Sequence, residues 1–441
     1  MGILPNILFI LVLIVGIGYF TRNIRKIIRN IRLGKAVDVT GPSGDRWKNM
    51  ARIALGQQKM VVRPVSGFLH VIVYLGFIII NIEVLEIIID GVFGTHRIFS
   101  FLGGFYDFLI GSFEILAFLV IVAVVIFWIR RNALRIQRFW KPEMKGWPKK
   151  DADLILYIEV ILMCLFLTMN AADFRLQELG AAHYTQAGAF PVSSYIAGWM
   201  SSWSEATLIT VERVAWWLHI LGILFFLNYL YFSKHLHILL AFPNTYFGRL
   251  KPQGQFDNLE AVQKEVALMM DPNADPFAAP AEDAPPPEKF GASDVTDLNQ
   301  IQLLNAYTCT ECGRCTSECP ANQTGKKLSP RKIMMDTRDR LEEVGRHLDA
   351  HKGIWEPDGK QLLDDYISRE ELWACTSCNA CVEACPVSID PLSIILDMRR
   401  YLVMEQSAAP SELNAMMSNI ENNGAPWPFS QMDRLNWNEE N

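Results

Sequence analysis

Apolar residues dominate five stretches of the chain, at about 3–20, 65–89, 105–129, 153–170 and 207–233. Each is long enough for a helix rising 1.5 Å per residue to cross a bilayer core, which takes roughly 20 residues. No Lys or Arg precedes the first stretch, and RNIRKIIRNIR follows it directly, so it reads as an anchor with its amino terminus outside, not as a cleaved signal. Lys and Arg crowd the connections between stretches one and two and between three and four, whereas the other two connections carry only Arg97 and Arg175. That asymmetry places the basic loops in the cytoplasm of an inner-membrane protein, and the chain leaves the fifth helix on the same side. After Arg249 the pattern changes. NLEAVQKEVALMM (258–270) has the period of a short amphipathic helix, and DPNADPFAAPAEDAPPPE is a tether that cannot build a core. Its prolines stiffen it, so the following domain is expected to dock at a distance from the bilayer. Beyond it, VTDLNQIQLLNAYTC, SPRKIMMDTRDRLEEVGRHL, SREELWACTSC and DPLSIILDMRRYLVMEQ carry helical periodicity. The expectation is an all-α protein: a five-helix transmembrane bundle at 1–245, a linker at 246–289 and a cytoplasmic helical domain at 290–441.

Charge adds one exclusion. A net charge of −6 over 441 residues does not suggest a nucleic-acid partner. Cysteine adds the chemistry, because eight of the nine cysteines fall in CTECGRCTSECP (309–320) and CTSCNACVEACP (375–386). Both runs read C-x2-C-x2-C-x3-C-P, too tight for a secreted disulfide framework and suited to metal in a reducing compartment. Three close thiolates wrap three irons of a cubane, and the fourth, before a proline, serves the other cluster. Cys309, Cys312, Cys315 and Cys385 then hold one 4Fe–4S cluster, and Cys375, Cys378, Cys381 and Cys319 hold the second. Gly313 and Asn379 suit left-handed backbone between ligands, and Pro320 and Pro386 end the runs. Zinc would favour paired ligands over four cysteines in one cadence. Cys164, alone in the fourth apolar stretch, reads as a small buried apolar residue.

Histidines in the apolar half point to a third cofactor. RPVSGFLHVIVYLGF opens the second stretch with His70, and WWLHILGILFFLNYLYFSKHLHILL carries His219, His235 and His237. An intramembrane imidazole is a functional candidate by default, and one histidine from each of two facing helices is a haem ligation pattern. In one continuous helix, His237 lies about five whole turns from His219 and shares its face, while His235 points outward. The expected haem therefore lies between His70 and His237. His219 is a candidate for a second haem, although Glu83 stands where its partner would be, or for a polar quinone pocket with Glu83, Glu86, Glu114 or Glu212. Pairing with Arg213 is the preferred reading for Glu212.

The histidine early in helix two, with WWLH and SKHLH in helix five, resembles the membrane cytochrome b subunit of respiratory nitrate reductase and related complexes. Residues 290–441, through YTCTECGRCTSECPA, LWACTSCNACVEACPVSIDPL and ENNGAPW, resemble the small two-cluster subunit of heterodisulfide reductases. The resemblance implies a respiratory electron-transfer subunit of an oxidoreductase. It would link a quinone (menaquinone or ubiquinone), haem b and two 4Fe–4S clusters to a cytoplasmic iron–sulfur or flavoprotein partner that holds the substrate site. A membrane-anchored redox sensor, or a tethered ferredoxin without haem, is the alternative. No G-x-G-x-x-G follows a plausible strand, and no catalytic residue is assigned.

Overall fold

The computed structural model describes residues 3–39, 41–272 and 289–439, and among them it contains no strand, only helices, turns and two isolated bridges. The membrane half consists of α1 (Ile3–Ile31), α2 (Pro64–Phe93), α3 (Gly104–Trp128), α4 (Trp147–Glu178) and α5 (Glu205–Tyr229). Each is long and apolar enough to cross a membrane. Local chemistry sets their ends. Pro64 occupies the first turn of α2, Gly94 closes it at φ 72°, and the Ser204 side chain caps α5 by accepting from Thr207 N at 3.2 Å. Without aqueous hydrophobic drive between helices, close contact matters. A Cβ at Gly76 would come within 2.6 Å of Val120, and one at Gly222 within 2.7 Å of Leu162, so a larger residue at either crossing would force these side chains to shift. Cys164 lies on the outer surface of the bundle and not in its interior, contrary to expectation.

Two helix ends differ from the sequence expectation. The first helix does not stop near residue 20, because RNIRKIIRNIR keeps helical periodicity and its Ile27 is buried. The fifth does not run unbroken to His237. Residues Leu230–Phe232 tighten into a 3₁₀ turn, Ser233 is extended (φ −118°, ψ 145°), Lys234–Leu236 form a second 3₁₀ turn, and α6 (His237–Tyr246) starts afresh. Ser233 Oγ accepts from His235 N at 3.0 Å, a local bond that competes with helix continuation.

The amphipathic segment forms α7 (Glu260–Met270), while most of the proline-rich tether lies outside the described residues. The second half packs α8 (Gln300–Thr308), α9 (Arg314–Glu318), α10 (Pro330–Ala350), α11 (Ala380–Ala384) and α12 (Pro391–Met404) around Leu298, Leu303, Ile333, Leu341, Val344, Ile394 and Met398. Ile27, Leu230 and Leu236 of the membrane half belong to the same core. The domain is therefore not held off at a distance; it is seated on the ends of α1 and α5. Asn30 Nδ2 donates to Tyr307 OH at 2.9 Å, and Lys35 N donates to Leu298 O at 2.8 Å. Around this core the basic loops meet acids: Lys26 and Arg29 with Asp349, Arg63 with Glu318 at 2.7 Å, Lys59 with Glu383 at 3.7 Å. Exposed pairs of this kind contribute about 0–1 kcal/mol each, whereas burying one Ile27-sized side chain contributes about 1.5–3 kcal/mol. Apolar burial carries the seating, and the rim pairs set its register.

Candidate cofactor sites

The two cysteine runs fold alike. In each, a left-handed residue, Gly313 (φ 71°) or Asn379 (φ 61°), turns the chain into a one-turn helix, α9 or α11. That turn aims the first three cysteines toward one space. The two helices lie against each other, which brings the fourth cysteine of each run to the other run's three. Cys319 joins Cys375, Cys378 and Cys381 around one enclosed space walled by Leu328, Pro330, Leu392 and Ile395. Cys385 lies close enough to Cys312 and Cys315 for their charges to interact. Both groupings are the crossed sets expected from spacing. Burial pushes the Cys309 thiol up to about 12 and the Cys385 thiol up to about 11, so a thiolate at either position requires a cationic partner to stabilise it. Cations flank both sets: Arg138 and Arg314 near Cys312, and Arg399 near Cys375. Arg399 is held by Leu372 O at 2.6 Å and stacks over Trp373 at 4.9 Å.

The first set faces the membrane half. Arg314 donates to Lys59 O at 3.0 Å and Met60 O at 3.1 Å, and its charge reaches His70 as well as Cys312 and Cys385. The second set is the outer one, since Cys378 is exposed while Cys381 is buried.

His70 and His237 lie within electrostatic reach of each other, and His70 Nδ1 is buried without a hydrogen-bond partner. An unpartnered imidazole nitrogen in this setting is costly and suits an axial ligand. His237 Nδ1 is hydrogen-bonded to Lys234 O at 3.2 Å, which leaves Nε2 for a metal. Because α5 breaks at Ser233, His235 does not point away: its ring is 5.3 Å from that of His237, and its Nε2 is 3.7 Å from Glu159. His219 stands apart, 1% exposed, with Nδ1 on Leu162 O at 3.0 Å and Phe166 against its ring. Among the described residues no histidine is beside it to complete a bis-histidine pair.

At the opposite end of the bundle lies a cavity of about 510 Å³ lined by Phe9, Glu83, Glu86, His96, Arg97, Asp173, Tyr184, Glu212, Trp216 and Trp217. Of the carboxylates singled out from sequence, Glu83, Glu86 and Glu212 reach it, whereas Glu114 does not, and neither does His219. Glu114 instead accepts from Val192 N at 2.9 Å and Ser193 N at 3.0 Å. Glu212 pairs with Arg213, as expected, and accepts from Tyr184 OH at 3.1 Å. Glu86 accepts from Phe99 N at 2.8 Å and Tyr106 OH at 2.7 Å. Only Glu83 among them keeps a buried oxygen, Oε2, without a partner. Sequence reasoning missed the pairing of Arg97 with Asp173 (Nε to Oδ2, 2.6 Å) and of His96 with Asp173 at 3.2 Å. An aspartate inside an apolar helix was the available signal.

Residues 308–389 match the 4Fe-4S dicluster domain family, a span that includes all eight clustered cysteines. The chain is 29% identical, over 98% of its length, to a probable iron-sulfur-binding oxidoreductase, FadF, of Bacillus subtilis, covering 61% of that protein. It is 26% identical, over 88% of its length, to the EtfAB:quinone oxidoreductase of Syntrophomonas wolfei, covering 53% of it. A stretch amounting to 27% of the chain is 31% identical to one component of the ferredoxin/F(420)H(2)-dependent CoB-CoM heterodisulfide reductase of Methanosarcina acetivorans, covering 60% of that relative. The chain thus spans between half and two thirds of these relatives. No solved structure matches it. The cysteine geometry and the relatives together support iron–sulfur electron transfer of the oxidoreductase type, on a chain that also carries five membrane-length helices.

Proposed function

We propose that this chain is the membrane-bound electron-transfer subunit of a quinone-linked oxidoreductase, with haem b held by His70 and His237, and its cluster half in the cytoplasm. The observation that carries the reading is the position of Arg314, whose charge reaches both the His70 imidazole and the sulfurs of Cys312 and Cys385. When bound, haem and clusters supply one-electron steps that link a two-electron quinone couple to a soluble partner. The chain's own residues set the order. His70 shares Arg314 with the membrane-facing cysteine set, and exposed Cys378 marks the outer set as the face a partner meets. Quinone is assigned to the cavity at the far end of the bundle, where Trp216, Trp217 and Phe9 offer apolar walls and Glu83 a free carboxylate oxygen to take a proton. One relative is named for EtfAB and quinone, and a donor or acceptor of the EtfAB kind is the proposed cytoplasmic partner.

The test is chemical analysis of purified full-length protein, followed by addition of a quinol to membranes. About eight non-haem irons per chain, a b-type reduced-minus-oxidised spectrum and quinol-dependent haem reduction are expected. A protein with the irons but no haem band is a tethered ferredoxin, and the proposal is then wrong.

A further inference from the structure

Glu311 lies inside the first cysteine run, between Cys309 and Cys312, and holds a left-handed φ of 54°. Such a conformation is uncommon for a residue with a side chain and persists where the surroundings impose it. The surroundings here come from both halves of the molecule. Glu311 Oε1 is 2.9 Å from Arg338 Nη2 of α10, and Oε2 pairs with Lys234 Nζ from the turn between α5 and α6. Lys234 is itself fixed: Nζ donates to Pro148 O at 2.6 Å, and its backbone N donates to Asp151 Oδ2 at 3.1 Å. Its carbonyl oxygen is the atom hydrogen-bonded to His237 Nδ1. One lysine therefore grips the cysteine loop through its ammonium and the imidazole through its backbone. Both side chains of the pair are buried, at 8% and 3% exposure.

We infer that Glu311 and Lys234 are positioning residues that set the orientation and basicity of the His237 imidazole from the first cysteine loop. A ligand imidazole whose second nitrogen donates to a carbonyl is fixed in tautomer and made a stronger donor. The strength of that bond depends on where the Lys234 carbonyl sits, and the pair with Glu311 acts on this alongside the Pro148 and Asp151 contacts. Seating of the cysteine loop and the electronic character of the haem ligand are thus one variable. The inference rests on the reading of His237 as an axial ligand.

Glu311→Gln in the full-length protein removes the charge that holds Lys234. The expected result is an upward shift of the haem midpoint potential with a changed low-spin EPR spectrum, because a weaker ligand donor favours the reduced iron. Glu311→Asp, which keeps the charge but withdraws it by one methylene, gives a smaller shift in the same direction. Lys234→Arg, which retains the pair, restores near-native values. Glu318→Gln serves as the control: it breaks the pair with Arg63 in the same cysteine run but does not touch Lys234, and no shift is expected. Unchanged potential and EPR in both Glu311 variants overturn the inference, as does a shift of equal size in Glu318→Gln. Absence of haem from the unaltered protein is a different outcome and overturns the reading of His237.

Discussion

Replacing Glu143 should loosen the cluster half from the membrane half, although Glu143 touches neither a cysteine nor a histidine. Glu143 lies in the connection between α3 and α4, and its Oε1 accepts from Arg331 Nη2 at 2.6 Å, Arg331 Nε at 3.2 Å and Ser329 Oγ at 2.7 Å. The Arg331 side chain is fully buried at the start of α10, and its Nη1 donates to Arg138 O at 2.6 Å, so a single guanidinium pins the membrane half's loop. Glu143→Ala strands that guanidinium. Breaking a buried pair from one side costs about 3–5 kcal/mol, or roughly two to three and a half decades in the seating equilibrium at about 1.4 kcal/mol per decade. Glu143→Gln keeps an acceptor and loses only the charge assistance, roughly 1–1.5 kcal/mol as the difference between a charged and a neutral hydrogen bond. The assay is thermal bleaching of cluster absorbance in detergent, with hydrogen exchange read over residues 137–146. pH supplies the sign. Burial alone would raise the Glu143 carboxyl, but Arg331 and Ser329 more than offset this and hold it below the usual carboxylate value. The pair's contribution is therefore complete above the ordinary carboxylate range and lost as pH falls through the lower, folded-state value. Wild type and Glu143→Gln should converge in acid. A bleaching midpoint for Glu143→Ala equal to wild type near neutral pH, or a gap between wild type and Glu143→Gln that persists in acid, refutes the reasoning.

If the proposed ligation is crossed, Cys319→Ser removes the cluster of the second run while sparing that of its own, so EPR should retain the signal assigned to the set of Cys309, Cys312 and Cys315; loss of that signal instead contradicts the crossing. Gly313→Ala should lower the bleaching midpoint, since αL backbone costs a residue with a Cβ about 1–2 kcal/mol and the new carbon would meet Arg331 Nη1 at 2.5 Å, whereas Asn379→Gly at the equivalent position of the second run should be near neutral. His70→Ala and His237→Ala should each abolish the b-type spectrum, with His235→Ala retaining it; retention in His237→Ala would transfer the ligand to His235. Glu83→Gln should slow quinol-dependent haem reduction without altering the haem spectrum, and an unchanged rate would remove the carboxylate from the quinone site.

The sequence alone carried the parts whose signal is local. Five apolar stretches of bilayer length, the all-helical second half and the doubled cysteine cadence each depend on near neighbours along the chain, because helix period and iron ligation are both short-range constraints. The crossed grouping of the cysteines was legible too, since its rule is written in the spacing. Helical phase across residues 230–237 was not. Periodicity assumes an unbroken helix, and the Ser233 side chain competes for the backbone there, so His235 turns toward His237 and not outward. Distance between the halves was misread for a related reason: tether composition limits reach but does not say what the tethered domain prefers to touch. Only the folded chain shows that Ile27, Leu230 and Leu236 share a core with the cluster half, that the basic segment after the first apolar stretch also meets Asp349 and Glu318, and that Lys234 beyond the fifth helix meets Glu311. A linear pattern records which residues are apolar or charged, but partners far apart along the chain are chosen by packing, and it is packing that placed the cysteine loop against the histidine turn.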